Sequence, residues 1–207
     1  MENKDNKAAV VQMTGDIVVF STFALMFFGA GLGFFGEDAG RAIGVVQLCL
    51  AGFFFAGAYR RLSLSPFWGN LNMIFAFVFG LLGGTTNVLT SFGVALNPLV
   101  LAVPTTVAGV IMLSTVPATL GDAWVSVLLN TMAACAVFMQ GLAGFSIAPD
   151  VLNPIASVLL GGVGVLGVYS AVSIFSSFSG LNLSLGRPAK ELLRKEKNNT
   201  LMKGELG

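Results

Sequence analysis

The chain has 207 residues, of which 55% are apolar and only 10% are charged. Because soluble globular domains carry about 25% charged residues, this composition excludes an ordinary soluble domain and indicates a multispanning membrane protein. The formal net charge of +1 and the absence of histidine exclude a strongly basic nucleic-acid-binding surface and any histidine-dependent chemistry.

Six apolar stretches follow one another along the chain. Between residues 42 and 186 the charged residues are Arg60, Arg61, Asp122 and Asp150. Breaks at these residues and at Pro, Gly and Asn clusters leave stretches at 17–36, 42–59, 67–87, 94–117, 124–147 and 154–178. About 20 helical residues cross the hydrocarbon core of a bilayer, and helices satisfy their own backbone there. The sequence therefore predicts an all-α membrane protein with six transmembrane helices in one domain, residues 1–186, and a charged tail, residues 187–207.

The cationic residues predict the orientation of the six spans. Ten of the eleven fall on one side: Lys4, Lys7, Arg60, Arg61, Arg187, Lys190, Arg194, Lys195, Lys197 and Lys203. Arg41 alone falls on the other side. Since cationic residues are enriched in cytoplasmic loops, both termini are expected in the cytoplasm and the protein in the cytoplasmic, or inner, membrane as a multi-pass protein. The first apolar stretch is too long for a signal-peptide core and is expected to remain in the membrane.

Small and amide-bearing residues recur at helical spacing in three spans. The stripe in span 2 comprises Gly40, Gly44, Gln47, Ala51 and Ala58. The stripe in span 3 comprises Gly69, Asn72, Ala76, Gly80, Gly83 and Asn87, and that in span 5 comprises Ser126, Asn130, Ala133, Val137, Gln140 and Gly144. Such stripes serve either close helix packing or the lining of a narrow passage. The GxxxG pairs at 29/33, 40/44 and 80/84 are typical of packing.

Four uncharged polar residues are the candidate solute-binding residues at membrane depth: Asn72, Asn130, Thr131 and Gln140. A buried amide requires a hydrogen-bonding partner, which is either another such group or a polar permeant. A bulky ring beside small residues makes a hydrophobic constriction. Phe75, between Asn72 and Ala76 in the stripe, is therefore the preferred constriction residue, and Phe20 near the start of span 1 is a second candidate. The other phenylalanines are expected to face lipid or the core.

Spans 4 and 6 open on a shared tripeptide. The tripeptide Leu96-Asn97-Pro98 recurs as Leu152-Asn153-Pro154, and the two prolines lie 30 residues after Trp68 and Trp124. This recurrence reflects either a repeated helical hairpin or two independent helix starts. Independent starts would share these residues because Asn favours the N-cap and Pro the first helical position. Pro104 lies inside span 4 and is expected to kink it.

The spans lack the groups that most enzymes and metal sites require. No Asp, Glu, Lys, Arg or His lies within the apolar stretches beyond Asp16 at the first boundary, so no catalytic residue, metal site or cofactor is expected, and the protein is predicted not to be an enzyme. Cys49 and Cys135 are expected to be packing residues.

The order of the spans and their boundary residues resembles a known family. A short first span, an Ala- and Gly-rich second span ending in Tyr59-Arg60-Arg61, and a third span opening with Ser-Pro-Phe67-Trp68-Gly69 resemble the bacterial acetate uptake transporters of the succinate-acetate permease type. Members usually open the first helix with Asn-Pro-x-Pro-Leu-Gly-Leu, whereas residues 12–18 read Gln-Met-Thr-Gly-Asp-Ile-Val, so the chain resembles a divergent member.

The resemblance implies a function and an assembly. It implies a homohexamer with one pore per protomer that passes acetate or a related small monocarboxylate, with a constriction formed by helices 1, 3 and 5. Phe75 would then be the ring on the third helix and Phe20 that on the first. The expected partners are a small solute, the lipid bilayer and further copies of the chain, with no nucleic acid. The alternatives are a urea or short-amide channel and a non-transporting scaffold or assembly subunit.

Overall fold

The computed structural model describes residues 21–36, 39–64, 66–181, 183–186 and 188, and these contain helices and no β-strand. Helix α1 covers Ser21–Gly31 of the described residues. Helix α2 covers Ala39–Leu64. The third span is made of three consecutive segments: α3 (Pro66–Phe75), a π-helical segment (Ala76–Leu82) and α4 (Gly83–Ser91). The later helices are α5 (Leu99–Thr115), α6 (Trp124–Gly144) and α7 (Pro149–Phe178).

Among the described residues, five helices are long and apolar enough to cross a membrane, which supports a multi-pass membrane protein. They correspond one to one with predicted spans 2 to 6, namely Ala39–Tyr59, Phe67–Ser91, Leu99–Gly121, Trp124–Gly144 and Pro149–Ser177. Predicted span 1 begins outside the described residues. Its described part is the shorter apolar helix α1, which ends five residues before the predicted boundary because Gly33, at φ 77°, turns the chain out of the helix.

The two Asn-Pro pairs are not equivalent. Asn97 Oδ1 accepts a hydrogen bond from the Leu99 N–H at 3.0 Å, so the first pair opens α5 as predicted. Helix α7 instead begins at Pro149, and Pro154 lies inside it. The helix therefore begins five residues before the predicted start of span 6 at residue 154. Pro149 already fills the first helical position, where the missing N–H costs no intrahelical bond.

Helices α1 and α7 pack closely through glycines of α7. A Cβ on Gly161 would lie 2.9 Å from the Phe28 ring, and one on Gly164 would lie 2.5 Å from Leu25 Cγ. On its other side α1 contacts α2, where the Phe23 and Phe54 rings lie 5.3 Å apart. Helix α1 therefore lies between α7 and α2.

The remaining neighbours follow the chain: α2 packs on the third span, α5 on α6, and α6 on α7. The packing interpretation of the GxxxG pairs holds where α2 meets α4, since a Cβ on Gly44 would lie 2.9 Å from the Gly84 carbonyl oxygen. At Gly33 and Gly40 no atom of another described element lies within 4 Å of a Cβ, so for these two glycines packing stays a prediction. Small residues thus draw specific helix pairs together.

The chain after α7 folds back onto the helix. Tyr169 Oη donates to the Ser184 carbonyl at 2.7 Å, and Ser173 Oγ donates to the Leu183 carbonyl at 2.6 Å. Gly186 lies against the Trp124 ring at the start of α6. The 30 residues of α7 measure about 45 Å, which is more than the thickness of a hydrocarbon core of about 30 Å. The rest of the predicted tail, apart from Pro188, lies outside the described residues.

Removing both anchors is expected to release this segment. The double variant Tyr169→Phe, Ser173→Ala loses two hydrogen bonds of about 1 kcal/mol each, and each kcal/mol raises the open population about fivefold. The two factors multiply, so limited chymotrypsin digestion after Leu183, inside the released segment, should accelerate about 25-fold. Ser177→Ala is the matched control, because the Ser177 hydroxyl donates only to the Ile174 carbonyl of its own helix. Equal cleavage rates for the double variant and the wild type would contradict this anchoring.

Candidate functional site

A cavity of about 30 Å³ lies at the centre of the bundle. It is lined by residues of α1, α2, the third span, α6 and α7: Phe23, Ala24, Phe27, Phe54, Phe75, Phe79, Ala133, Val137, Gln140 and Leu160. A cavity needs about 10–15 Å³ by this measure to hold one water molecule, so this one has room for one or two. A guest larger than about two water molecules needs the lining side chains to move.

Phenylalanine rings form half of the lining. The Phe75 and Phe79 rings lie 5.5 Å apart, a usual separation for a stabilising aromatic pair. Phe75 and Phe79, like Phe23 and Phe27, are four residues apart, and helical residues at that spacing share one face. Phe77, between the members of the first pair, is 51% exposed and faces away. The cavity wall is therefore built from two helical Phe pairs together with Phe54 of α2.

Gln140 supplies the polar side chain of the lining. It is half-buried on α6, one turn after Val137 and two turns after Ala133. In the described part of the chain its amide makes no hydrogen bond, but the cavity surface is almost entirely apolar, so the amide meets a guest only when the side chain turns toward it. The cavity is thus a partly open, almost wholly apolar space with Gln140 in its wall.

Charged side chains do not line the cavity. Among residues whose side chains are described, Arg41 lies at the start of α2 over the Phe92 ring, at 5.3 Å, and Asp150 lies in the first turn of α7. Asp122 lies in the turn before α6, where desolvation raises the pKa of its carboxyl above the ordinary value. An anion in the cavity would therefore lose its hydration without gaining a cationic partner, at a high free-energy cost.

Of the predicted site residues, the structure brings Phe75 and Gln140 together at the cavity. Asn72, Asn130 and Thr131 are half-buried and not among its lining residues. Thr131 Oγ1 donates to the Val127 carbonyl of its own helix at 2.8 Å. Phe20 lies outside the described residues. Asn72, Asn130 and Gln140 were chosen on polar stripes, and a stripe is wider than the part of it that reaches the centre.

Four lining rings were not predicted: Phe23, Phe27, Phe54 and Phe79. Every span is rich in apolar residues, so aromatic content alone does not separate the cavity face from the lipid face. The four-residue spacing of the Phe23/Phe27 and Phe75/Phe79 pairs was the available signal. No such sequence signal distinguished Phe54, because its neighbours Phe53 and Phe55 are also phenylalanines.

Comparison with known proteins gives no match: no protein-family model, curated protein or solved structure is similar to this chain. The resemblance to acetate uptake transporters therefore stays a prediction that rests on the boundary residues of spans 2 and 3.

Proposed function

We propose that this protein is a channel or facilitator for a small, weakly polar solute, and that the preferred solute is a short monocarboxylic acid such as acetic acid in its neutral form. The observation that carries this proposal is the central cavity with five phenylalanine rings and one amide. The protein would act in the cytoplasmic membrane with both termini in the cytoplasm, as a homo-oligomer with one passage per protomer, a hexamer by the family resemblance.

The chemistry of the lining favours the neutral acid over the anion. A carboxylate entering an apolar cavity without a cation pays a large desolvation cost. A protonated carboxyl group would instead match the two functions of the Gln140 amide once that side chain turns into the cavity, since the acid O–H donates to the amide oxygen and the acid carbonyl accepts from the amide N–H. The proton travels with the solute, so no titrating carrier in the spans is required.

The size of the cavity provides the selection. A guest larger than one or two water molecules requires the Phe75 and Phe79 rings to rotate, and the displacement grows with the guest. Formic and acetic acids should therefore pass faster than lactic acid. Flux should follow the neutral fraction, which falls about tenfold for each pH unit above the pKa of the acid.

Stopped-flow measurements on liposomes that contain a pH-sensitive dye test this function. Vesicles with the wild-type protein should acidify faster than empty vesicles when acetic acid is added. Ala133→Phe, which places a ring in the cavity from a residue 1% exposed, should return the rate to that of empty vesicles. Ala56→Phe makes the same change at an exposed residue of α2 and should leave the rate unchanged. If overpacking prevents Ala133→Phe from folding, Gln140→Leu provides the second test.

The result also separates the alternatives. Urea does not change the internal pH, so its entry is followed by light scattering as the vesicles shrink and reswell. Flux of urea alone, blocked by Ala133→Phe, would replace the acid with a short amide as the solute. The small volume of the cavity favours a second function, a non-transporting scaffold, in which the centre stays closed and the small-residue stripes serve only packing. Equal rates for wild-type and empty vesicles with formic, acetic and lactic acids and urea would reject permeation and leave the scaffold.

A further inference from the structure

The third span changes its hydrogen-bond register beside the cavity. Residues Ala76–Leu82 are π-helical, whereas α3 before them and α4 after them are α-helical. At the end of the π-helical segment the Gly83 N–H is directed to the carbonyls of Val78 and Gly80. In an α-helix this N–H would bond to the Phe79 carbonyl, four residues back. The change of register thus takes from Phe79 its usual donor, and π-helical insertions of this kind are frequent at functional sites.

Gln47 of α2 supplies the replacement donor. Its Nε2 donates to the Phe79 carbonyl at 2.6 Å, and its Oε1 accepts from Asn87 Nδ2 at 2.7 Å. Gln47 is 1% exposed, so both bonds form away from solvent, where an unpaired amide or carbonyl is costly. Asn87 fixes which end of the amide faces Phe79, because its N–H donates to the Gln47 oxygen and leaves the nitrogen toward the carbonyl.

Glycines of the third span let the Gln47 side chain reach this position. A Cβ on Gly83 would lie 2.9 Å from Gln47 Nε2, and one on Gly84 would lie 3.0 Å from Gln47 Cβ. Any larger residue at either position would displace the amide. Gly80 similarly packs against Ala51 of α2, where its added Cβ would lie 2.8 Å from the Ala51 Cβ. The contact between α2 and the third span is therefore shaped around the Gln47 amide.

We propose that Gln47, oriented by Asn87, is the positioning residue of the Phe75–Phe79 constriction, because its bond to the Phe79 carbonyl holds the third span in the π-helical register that turns both rings into the cavity. Return of the segment to α-helical bonds would shift the register by one residue, a rotation of about 100°. The Phe75 and Phe79 rings could then no longer face the cavity while the glycines of the third span keep their contacts with α2. The proposal rests on the proposed function only where it treats the cavity as a passage.

The test measures the rotation directly and does not require transport. A nitroxide label at Phe77→Cys in a Cys49→Ser, Cys135→Ser background reports the lipid-facing side of the third span through its collisions with O₂. In Gln47→Met, which has a similar length but no hydrogen-bonding amide, the collision rate should change about twofold as the label rotates. A label at Val107→Cys, an exposed residue of α5, should not respond. Gln140→Met is the matched control, since it removes an amide that does not hold the third span.

Two further results make the test decisive. Asn87→Leu removes only the bond that orients the Gln47 amide, and it should shift the collision rate of the Phe77 label in the same direction by a smaller amount. If Gln47→Met does not fold, Asn87→Leu tests the role of Gln47 in its place. Unchanged O₂ collision rates in both variants would overturn the role of Gln47. Wild-type vesicles that pass no solute would overturn the proposed function and leave the label result standing. If wild-type vesicles pass solute but the O₂ collision rates are unchanged in both variants, only the positioning role of Gln47 is overturned.

Discussion

Gly141→Ala is expected to lower the stability of the bundle by about 1–3 kcal/mol, although it adds a single methyl group. A Cβ on Gly141 would lie 2.6 Å from the backbone nitrogen and 2.7 Å from the Cα of Thr106. Backbone atoms of α5 cannot rotate out of the way as a side chain can, so the two helices must separate. The melting temperature in detergent should fall by several degrees.

The same substitution at Gly52 provides the control. No described atom lies within 4 Å of a Cβ at this residue of α2, and alanine is favoured over glycine in a helix by about 0.5–1 kcal/mol. Gly52→Ala should therefore leave the melting temperature unchanged or raise it. Equal melting temperatures for the Gly141 and Gly52 variants would show that the close approach of α5 and α6 contributes nothing to stability.

Phe75→Ala is expected to widen the passage and to admit larger solutes. Phe75 is 8% exposed, pairs with Phe79 and lines the cavity, so its removal joins the ring volume to the existing space. Lactic acid should then enter vesicles at a rate close to that of acetic acid, whereas the wild type favours acetic acid. A stability loss of about 3–5 kcal/mol accompanies deletion of a buried ring.

Phe77→Ala is the control for this change, because Phe77 lies two residues away and is 51% exposed. It should keep the wild-type solute preference and most of the stability. If Phe75→Ala does not fold, Phe75→Leu removes part of the ring volume and should shift the preference in the same direction. A solute preference that is the same in Phe75→Leu, Phe75→Ala and the wild type would reject Phe75 as a constriction.

Helix identity was predictable where the sequence signal is long and continuous. Five of the six predicted spans coincide with helices that can cross a membrane, because a run of about 20 apolar residues has few other uses. The ends were less accurate. Pro149 rather than Pro154 opens α7, since both positions carry acceptable helix-start residues and only the left-handed conformation of Ala148, at φ 40°, decides between them.

The candidate site was only partly predictable. Phe75 and Gln140 were identified from their stripes and both line the cavity, but so do Phe23, Phe54 and Phe79, which the sequence did not distinguish from lipid-facing rings. Gln47 was noted as part of a stripe. Its bond to Phe79 was not foreseeable, because the two residues are 32 positions apart and the free carbonyl exists only through the π-helical register.

The amino-acid sequence by itself determined that this chain forms apolar helices of membrane-spanning length, since burial of their backbone in lipid requires internal hydrogen bonds and their side chains exclude water. Only the tertiary structure decided which face of each helix meets the centre, because in a uniformly apolar span hydrophobicity does not distinguish lipid from protein interior. That choice depends on where glycines allow backbones to approach and where Gln47 finds the Phe79 carbonyl, and both are properties of helix pairs.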